Sequence, residues 1–136
     1  MMYLAIDWGE KRIGLAVGSV FPKGAGVIDG AKDSLQILDE IQAVIDEYEV
    51  KKIVVGLPVL PSGDEGRLAP EVKEFAISLG DATGLPIIFE PEEFTSVEAR
   101  DQFKSHGKLP DRDGGKIDEM AAILILEKYL EQNAHS

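Results

Sequence analysis

Tyr3-Leu4-Ala5-Ile6-Asp7-Trp8-Gly9-Glu10-Lys11-Arg12-Ile13-Gly14-Leu15-Ala16-Val17-Gly18 decides the fold of this chain. An apolar run climbs to one acid, Asp7, turns through Gly9, and comes back as a second apolar run with glycines at 14 and 18. A continuous apolar run reads as a strand buried on both faces. The run that follows so closely must lie antiparallel to it, because a parallel return needs a long crossover. A carboxylate therefore stands at the end of a central strand, beside a hairpin. Two readings are open there: an aspartate capping the turn, or a metal ligand, since a lone buried charge is costly without a partner.

Outward from the hairpin, Ser19 to Asp29 is broken by glycine and proline, with a short edge strand expected around Gly26-Val27-Ile28. Asp33-Ser34-Leu35-Gln36 resembles a helix start, and Leu38, Ile41, Ile45 and Tyr48 continue at helical spacing to about Glu49. Lys52 to Pro58 is a β-branched run expected as a buried parallel strand. A second helix has Pro70 in its first turn and Ala69, Val72, Ala76 and Leu79 on one stripe. Leu85 to Glu90 is the last strand, with Pro91 expected to end its pairing. Thr95-Ser96-Val97-Glu98 matches a capping box that would open a short helix to about Phe103. Lys104 to Lys116 reads as a polar, glycine-rich loop, and a final helix is expected from about Ile117 to Glu131. A meander followed by alternating helices and strands predicts one α/β domain over residues 1–136. Its sheet is mixed and five-stranded, and helices cover both faces.

Composition narrows the function. The chain has 136 residues, is 44% hydrophobic and has no cysteine, which excludes disulfides, thiolate metal sites and cysteine nucleophiles. No stretch reads as a membrane span or a secretory signal, so the expectation is a cytoplasmic protein with no membrane partner. A net charge of -11 repels nucleic acid at long range and favours cations. A local basic loop can coexist with that balance.

Three acidic positions follow apolar strands or open a helix. Asp7 ends the first strand, Glu90, Glu92 and Glu93 cluster past the last, and Asp118 opens the final helix. Asp118 shares a helical face with Ala121, Ala122, Ile125 and Tyr129. Read singly, these are a turn cap, a solvated turn and a helix-start acid favoured by the macrodipole. Read together, carboxylates from separate elements at one sheet edge suit a hard divalent cation, Mg²⁺ or Mn²⁺, and metal-assisted hydrolysis of a phosphate ester.

The same residues resemble the YqgF-like (RuvX) family, described as Holliday junction resolvases and as nucleases maturing the small-subunit ribosomal RNA precursor. Asp7-Trp8-Gly9-Glu10-Lys11-Arg12-Ile13-Gly14-Leu15-Ala16 resembles the family's opening motif. Gly56-Leu57-Pro58 and the helix behind it resemble its second, Glu92-Glu93-Phe94-Thr95-Ser96 stands at its third, and Asp118-Glu119-Met120-Ala121-Ala122 resembles its last. The resemblance implies a ribonuclease H-like fold and a metal-dependent nuclease acting on a ribosomal RNA precursor or branched DNA. It implies Asp7, Glu92 and Asp118 as the acidic triad. The third motif departs from the pattern: Pro91 replaces an aspartate and Glu93 an arginine, while Ser62 replaces an aspartate in the second. Glu90 is then a rival to Glu92.

Other candidates are weaker. Lys11 and Arg12 read as phosphate contacts or as solvated turn cations. Lys108 and Arg112, with Lys104 and Lys116, give the loop before Asp118 a positive character suited to a nucleic acid backbone, or make an ordinary flexible loop. His106 is a candidate proton shuttle, and Trp8 either stacks a base or packs in the core. A homodimer is compatible with the sequence. Two further classes stay open: a binding module that keeps the fold without turnover, and a nucleotide-using kinase or ATPase with an Asp-x-Gly hairpin, which would need a second domain of the same kind.

Overall fold

The computed structural model describes residues 1–93 and 114–133. Five strands, β1 (Tyr3–Asp7), β2 (Arg12–Gly18), β3 (Lys23–Asp29), β4 (Lys52–Val59) and β5 (Ile87–Glu93), form one sheet in the order β3-β2-β1-β4-β5. β1 pairs antiparallel with β2, and β2 with β3. β1 pairs parallel with β4, and β4 with β5. The expected meander and parallel pair are both present.

Side-chain alternation divides the sheet into two faces. Leu4, Ile6, Ile13, Leu15, Val17, Ile53 and Val55 pack against the helices α1 (Ser34–Tyr48) and α2 (Ala69–Thr83). Ala5, Ala16 and Val54 pack on the other face against Ala122, Ile125, Leu126 and Tyr129 of α3 (Gly114–Asn133). Small residues at 5 and 16 let α3 sit close to the strands. The Asp33 side chain accepts the Gln36 N–H at 3.0 Å and caps α1 as its sequence suggests. The helix ends at Glu49, in the left-handed region at φ 53°.

Two expectations need correction. Pro91 does not end β5, which stays in register with β4 through Leu57↔Pro91, Pro58↔Glu92 and Val59↔Glu93. Within the described sheet β5 is the edge strand, and an edge tolerates a residue that lacks an N–H. The final helix starts at Gly114 rather than Ile117, so residues 114–116 are helical and Asp118 is the fifth residue of α3 rather than its second. The helix expected from Thr95 and the loop at 104–113 lie outside the described residues.

Candidate active site

Asp7, Glu90, Glu92 and Asp118 are all buried, with exposures of 3%, 3%, 7% and 0%. Their placement follows from the alternation. Asp7 lies two residues beyond Ala5, and Glu90 and Glu92 lie two and four beyond Ile88. Each therefore projects to the face that α3 covers. Asp118 comes to the same face from α3, one turn before Ala121 and Ala122, both fully buried, with its main chain against Gly14, the register partner of Asp7. β1, β4 and β5 run parallel, so Asp7 and the glutamates gather at the carboxyl edge of the sheet.

Two glycines make room for this packing. Gly14 is the register partner of Asp7, and a β-carbon on it would overlap the main-chain carbonyl of Asp118. Gly56 follows Val55, the partner of Ile6, so it lies beside Asp7 on the neighbouring strand. A β-carbon on Gly56 would meet Glu92 Oε2 at 2.5 Å and Ile125 Cδ1 at 2.6 Å. The Glu92 carboxylate thus extends back over Gly56, toward Asp7.

Glu90 is turned to a different task. Its Oε2 lies 3.8 Å from Lys128 Nζ, which also donates to the Pro91 carbonyl at 2.9 Å. Burial pushes the Glu90 carboxyl above its ordinary value, and the charge of Lys128 with a hydrogen bond from Gln132 pulls it part of the way back. Lys128 is ten residues beyond Asp118, or about 15 Å along the helix at 1.5 Å per residue. Glu90 therefore ties β5 to the far half of α3, while Glu92 faces the Asp7 end. Sequence spacing leaves the two glutamates as rivals, and the structure gives Glu90 a cation neighbour in Lys128.

A cation also stands at the rim. Arg12 Nη1 lies 3.9 Å from Asp118 Oδ2, with the arginine side chain half exposed. Lys11 and Arg12 line a shallow depression beside Asp29 and Ala31. Trp8 is half-buried and packs against Phe75 with ring centroids 6.3 Å apart, so it belongs to the core under α1 and α2. Lys104, His106, Lys108 and Arg112 lie outside the described residues. Two contributors escaped the sequence reading. Lys128 pairs with Glu90, and Glu119 accepts a hydrogen bond from the Gly26 N–H at 2.8 Å.

The donor set has one chemistry: carboxylate oxygens, buried, on facing elements. Burying a carboxylate costs several kcal/mol, against a net domain stability of about 5–15 kcal/mol. Four on one face must be offset by nearby positive charge or donors, as Lys128 and Arg12 begin to do, and such a set suits a site that handles positive charge. Among the described residues no three acidic or histidine side chains lie close enough to form a closed metal cage. Mg²⁺ does not require one. It keeps several waters and is held by one or two carboxylates together with substrate phosphates. The donor set fits a hard divalent ion on those terms.

A mixed five-stranded sheet with helices on both faces and acids at its carboxyl edge defines a ribonuclease H-like α/β domain. Along 97% of this chain and 96% of the other, the fold matches Thermus thermophilus RuvC in complex with Holliday junction substrate, at TM-score 0.58 and 17% identity. A second structure of T. thermophilus RuvC matches at TM-score 0.51. Residues 1–132 match the family model "RuvX: Holliday junction resolvase", and the chain belongs to that family. A Synechococcus elongatus protein named "Putative pre-16S rRNA nuclease" is 35% identical over 133 residues, 95% of this chain and 88% of that one. Proteins of the same name from Dictyoglomus turgidum and Glaesserella parasuis are 35% and 34% identical, over 96% of this chain in each case and 94% and 96% of theirs.

Proposed function

We propose that the protein is a metal-dependent nuclease that hydrolyses phosphodiester bonds in structured nucleic acid, with the 5′ end of pre-16S ribosomal RNA as its substrate. The observation that carries this reading is the set of buried carboxylates that β1, β5 and α3 bring to one edge of the sheet. Relatives named for pre-16S rRNA and the RuvC fold agree with it. Asp7, Glu92 and Asp118 are the residues from which the ligands of Mg²⁺ or Mn²⁺ would be drawn, one or two of them completed by water and substrate phosphate. Such an ion, when bound, polarises the phosphate and lowers the pKa of a coordinated water.

The protein's own residues do the rest. Asp7 ends β1, the central strand of the sheet. Glu92 reaches toward Asp7 over Gly56, and Asp118 is set by the packing of α3 on Gly14. Arg12 and Lys11 stand where a backbone phosphate would approach Asp118, and Lys108 and Arg112, which lie outside the described residues, are the further phosphate contacts of this reading. Contacts of this kind position a strand without reading its bases. The net charge of -11 leaves recognition to this local rim rather than to long-range steering. Glu90, committed to Lys128, takes no part in the chemistry. A cytoplasmic location follows from the substrate.

The test sets precursor ribosomal RNA and a four-way DNA junction against the protein with Mg²⁺ or Mn²⁺, beside Asp7→Asn. We expect the RNA to be cleaved, with a loss of at least about 100-fold in Asp7→Asn, as for removal of one electrostatic element of a site. Preferential cleavage of the junction would make the protein a resolvase-type endonuclease. Undiminished cleavage by a folded Asp7→Asn protein overturns the mechanism. Binding of the RNA without any cleavage would instead make the domain a non-catalytic module.

A further inference from the structure

We infer that Glu119 is a positioning residue, which holds the start of α3 on a bulge in β3 and so sets Asp118 against Asp7. This rests on the nuclease reading above. Consecutive residues on a helix point about 100° apart. Asp118 faces the middle of the sheet, and Glu119 reaches sideways to its edge strand β3, where Oε2 accepts the Gly26 N–H at 2.8 Å. The two residues are 93 positions apart in the chain. A backbone N–H held by a carboxylate makes a charge-assisted bond, roughly twice as strong as a neutral one.

The seat is built for that carboxylate. The β2–β3 ladder pairs Leu15 with Gly26 and then Ala16 with Gly24, so Ala25 is the extra residue of a bulge. Gly26 adopts φ 110°, a conformation side chains rarely take. Bulges of this kind re-aim the backbone next to functional sites. On the other side of the seat, a β-carbon on Gly24 would stand 2.6 Å from Glu119 Oε2 and 2.9 Å from its Cδ. Gly24 therefore leaves the space, and Gly26 supplies the donor, that Glu119 uses. α3 is thus tied twice near Asp118: its main chain sits on Gly14 of β2, and the Glu119 side chain sits on Gly26 of β3. Without the second tie the first turns of the helix lose their lateral hold on β3, while its later turns stay packed in the core. An error of 1 Å at a reacting group costs on the order of 100-fold in rate.

The test compares Glu119→Ala, Glu119→Gln and Gly24→Ala. Three readouts are used: Mn²⁺ affinity by calorimetry, kcat and KM for the cleaved substrate, and hydrogen exchange of the Gly26 amide and of amides 118–122. Glu119→Ala is expected to speed those exchanges. It should lower Mn²⁺ affinity and kcat by about 10- to 100-fold, as for loss of an outer partner of a metal site, with KM nearly unchanged. Glu119→Gln keeps an acceptor oxygen and restores most of both. Gly24→Ala displaces the carboxylate without removing it and shifts kcat in the same direction, which also carries the test if Glu119→Ala does not fold. Faster exchange with wild-type kcat and Mn²⁺ affinity overturns the inference, because Glu119 would then be structural only. A wild-type protein that neither binds Mn²⁺ nor cleaves overturns the nuclease reading itself, and this inference with it.

Discussion

The carboxylate of Glu92 lies over Gly56, close enough that a β-carbon there would stand 2.5 Å from its Oε2. Gly56→Ala must therefore displace both Glu92 and the Ile125 side chain. Overpacking of this kind costs about 1–3 kcal/mol. We expect a loss of that size in urea unfolding, accompanied by a fall in cleavage, because the displaced group is a proposed ligand. Unchanged cleavage by the destabilised variant would separate Glu92 from the chemistry.

Gly14→Ala should be worse. The atom it meets is the main-chain carbonyl of Asp118, which cannot swing aside as a side chain can. All of α3 must shift, together with Ala121, Ala122 and Ile125. The expected destabilisation exceeds that of Gly56→Ala, and the midpoints of the two unfolding curves make the comparison. A Gly14→Ala protein as stable as the wild type would mean that α3 does not pack as closely as described.

Arg12 separates binding from stability. A half-exposed arginine 3.9 Å from its partner contributes about 0–1 kcal/mol to folding. Arg12→Ala should therefore unfold within about 1 kcal/mol of wild type while KM for nucleic acid rises. The slope of log affinity against log salt should fall by about 1 if one phosphate contact is lost. Titrations at several salt concentrations read this directly, and an unaltered slope would remove Arg12 from the rim.

Glu90 gives a pH signature. Burial, only partly offset by Lys128 and Gln132, raises its carboxyl above the ordinary 4.5. The folded protein then holds that proton more tightly than the unfolded chain does. Stability contributed by Glu90 is full below 4.5 and declines as pH rises through the folded value. Glu90→Gln should flatten this decline, measured as melting temperature against pH in EDTA. Lys128→Ala removes the stabilising charge and should steepen it. Parallel profiles for all three proteins would show that Glu90 is not the source.

Much of the site was legible because strand chemistry is local. Apolar runs located β1, β4 and β5 and put Asp7 and the glutamates at one edge of the sheet. Helical spacing placed Asp118 with Ala121 and Ala122 on the buried stripe of α3. What was not legible depended on neighbours in space. Pro91 reads as a strand end until β5 is known to be an edge of the described sheet. Glu90 and Glu92 are indistinguishable by spacing, and Lys128 separates them from a helix 36 residues beyond Glu92. Gly24-Ala25-Gly26 hints at a bulge, but nothing local says that Glu119 would occupy it. The bonds at both of those positions span the chain.

The packing of α3 on β1 and β2 also has a consequence for how the protein comes into being. Chains emerge from the ribosome amino end first, and contacts between distant segments form late. Residues 3–93 carry the five strands of the described sheet with α1 and α2, yet Ala5, Ala16 and Val54 find their packing partners in residues 114–133. The helix that buries this last apolar patch also brings Asp118. A nascent or truncated chain lacking it would expose a sticky face and lack one of the proposed metal ligands. Completing the fold and acquiring the proposed hydrolytic chemistry are therefore a single event.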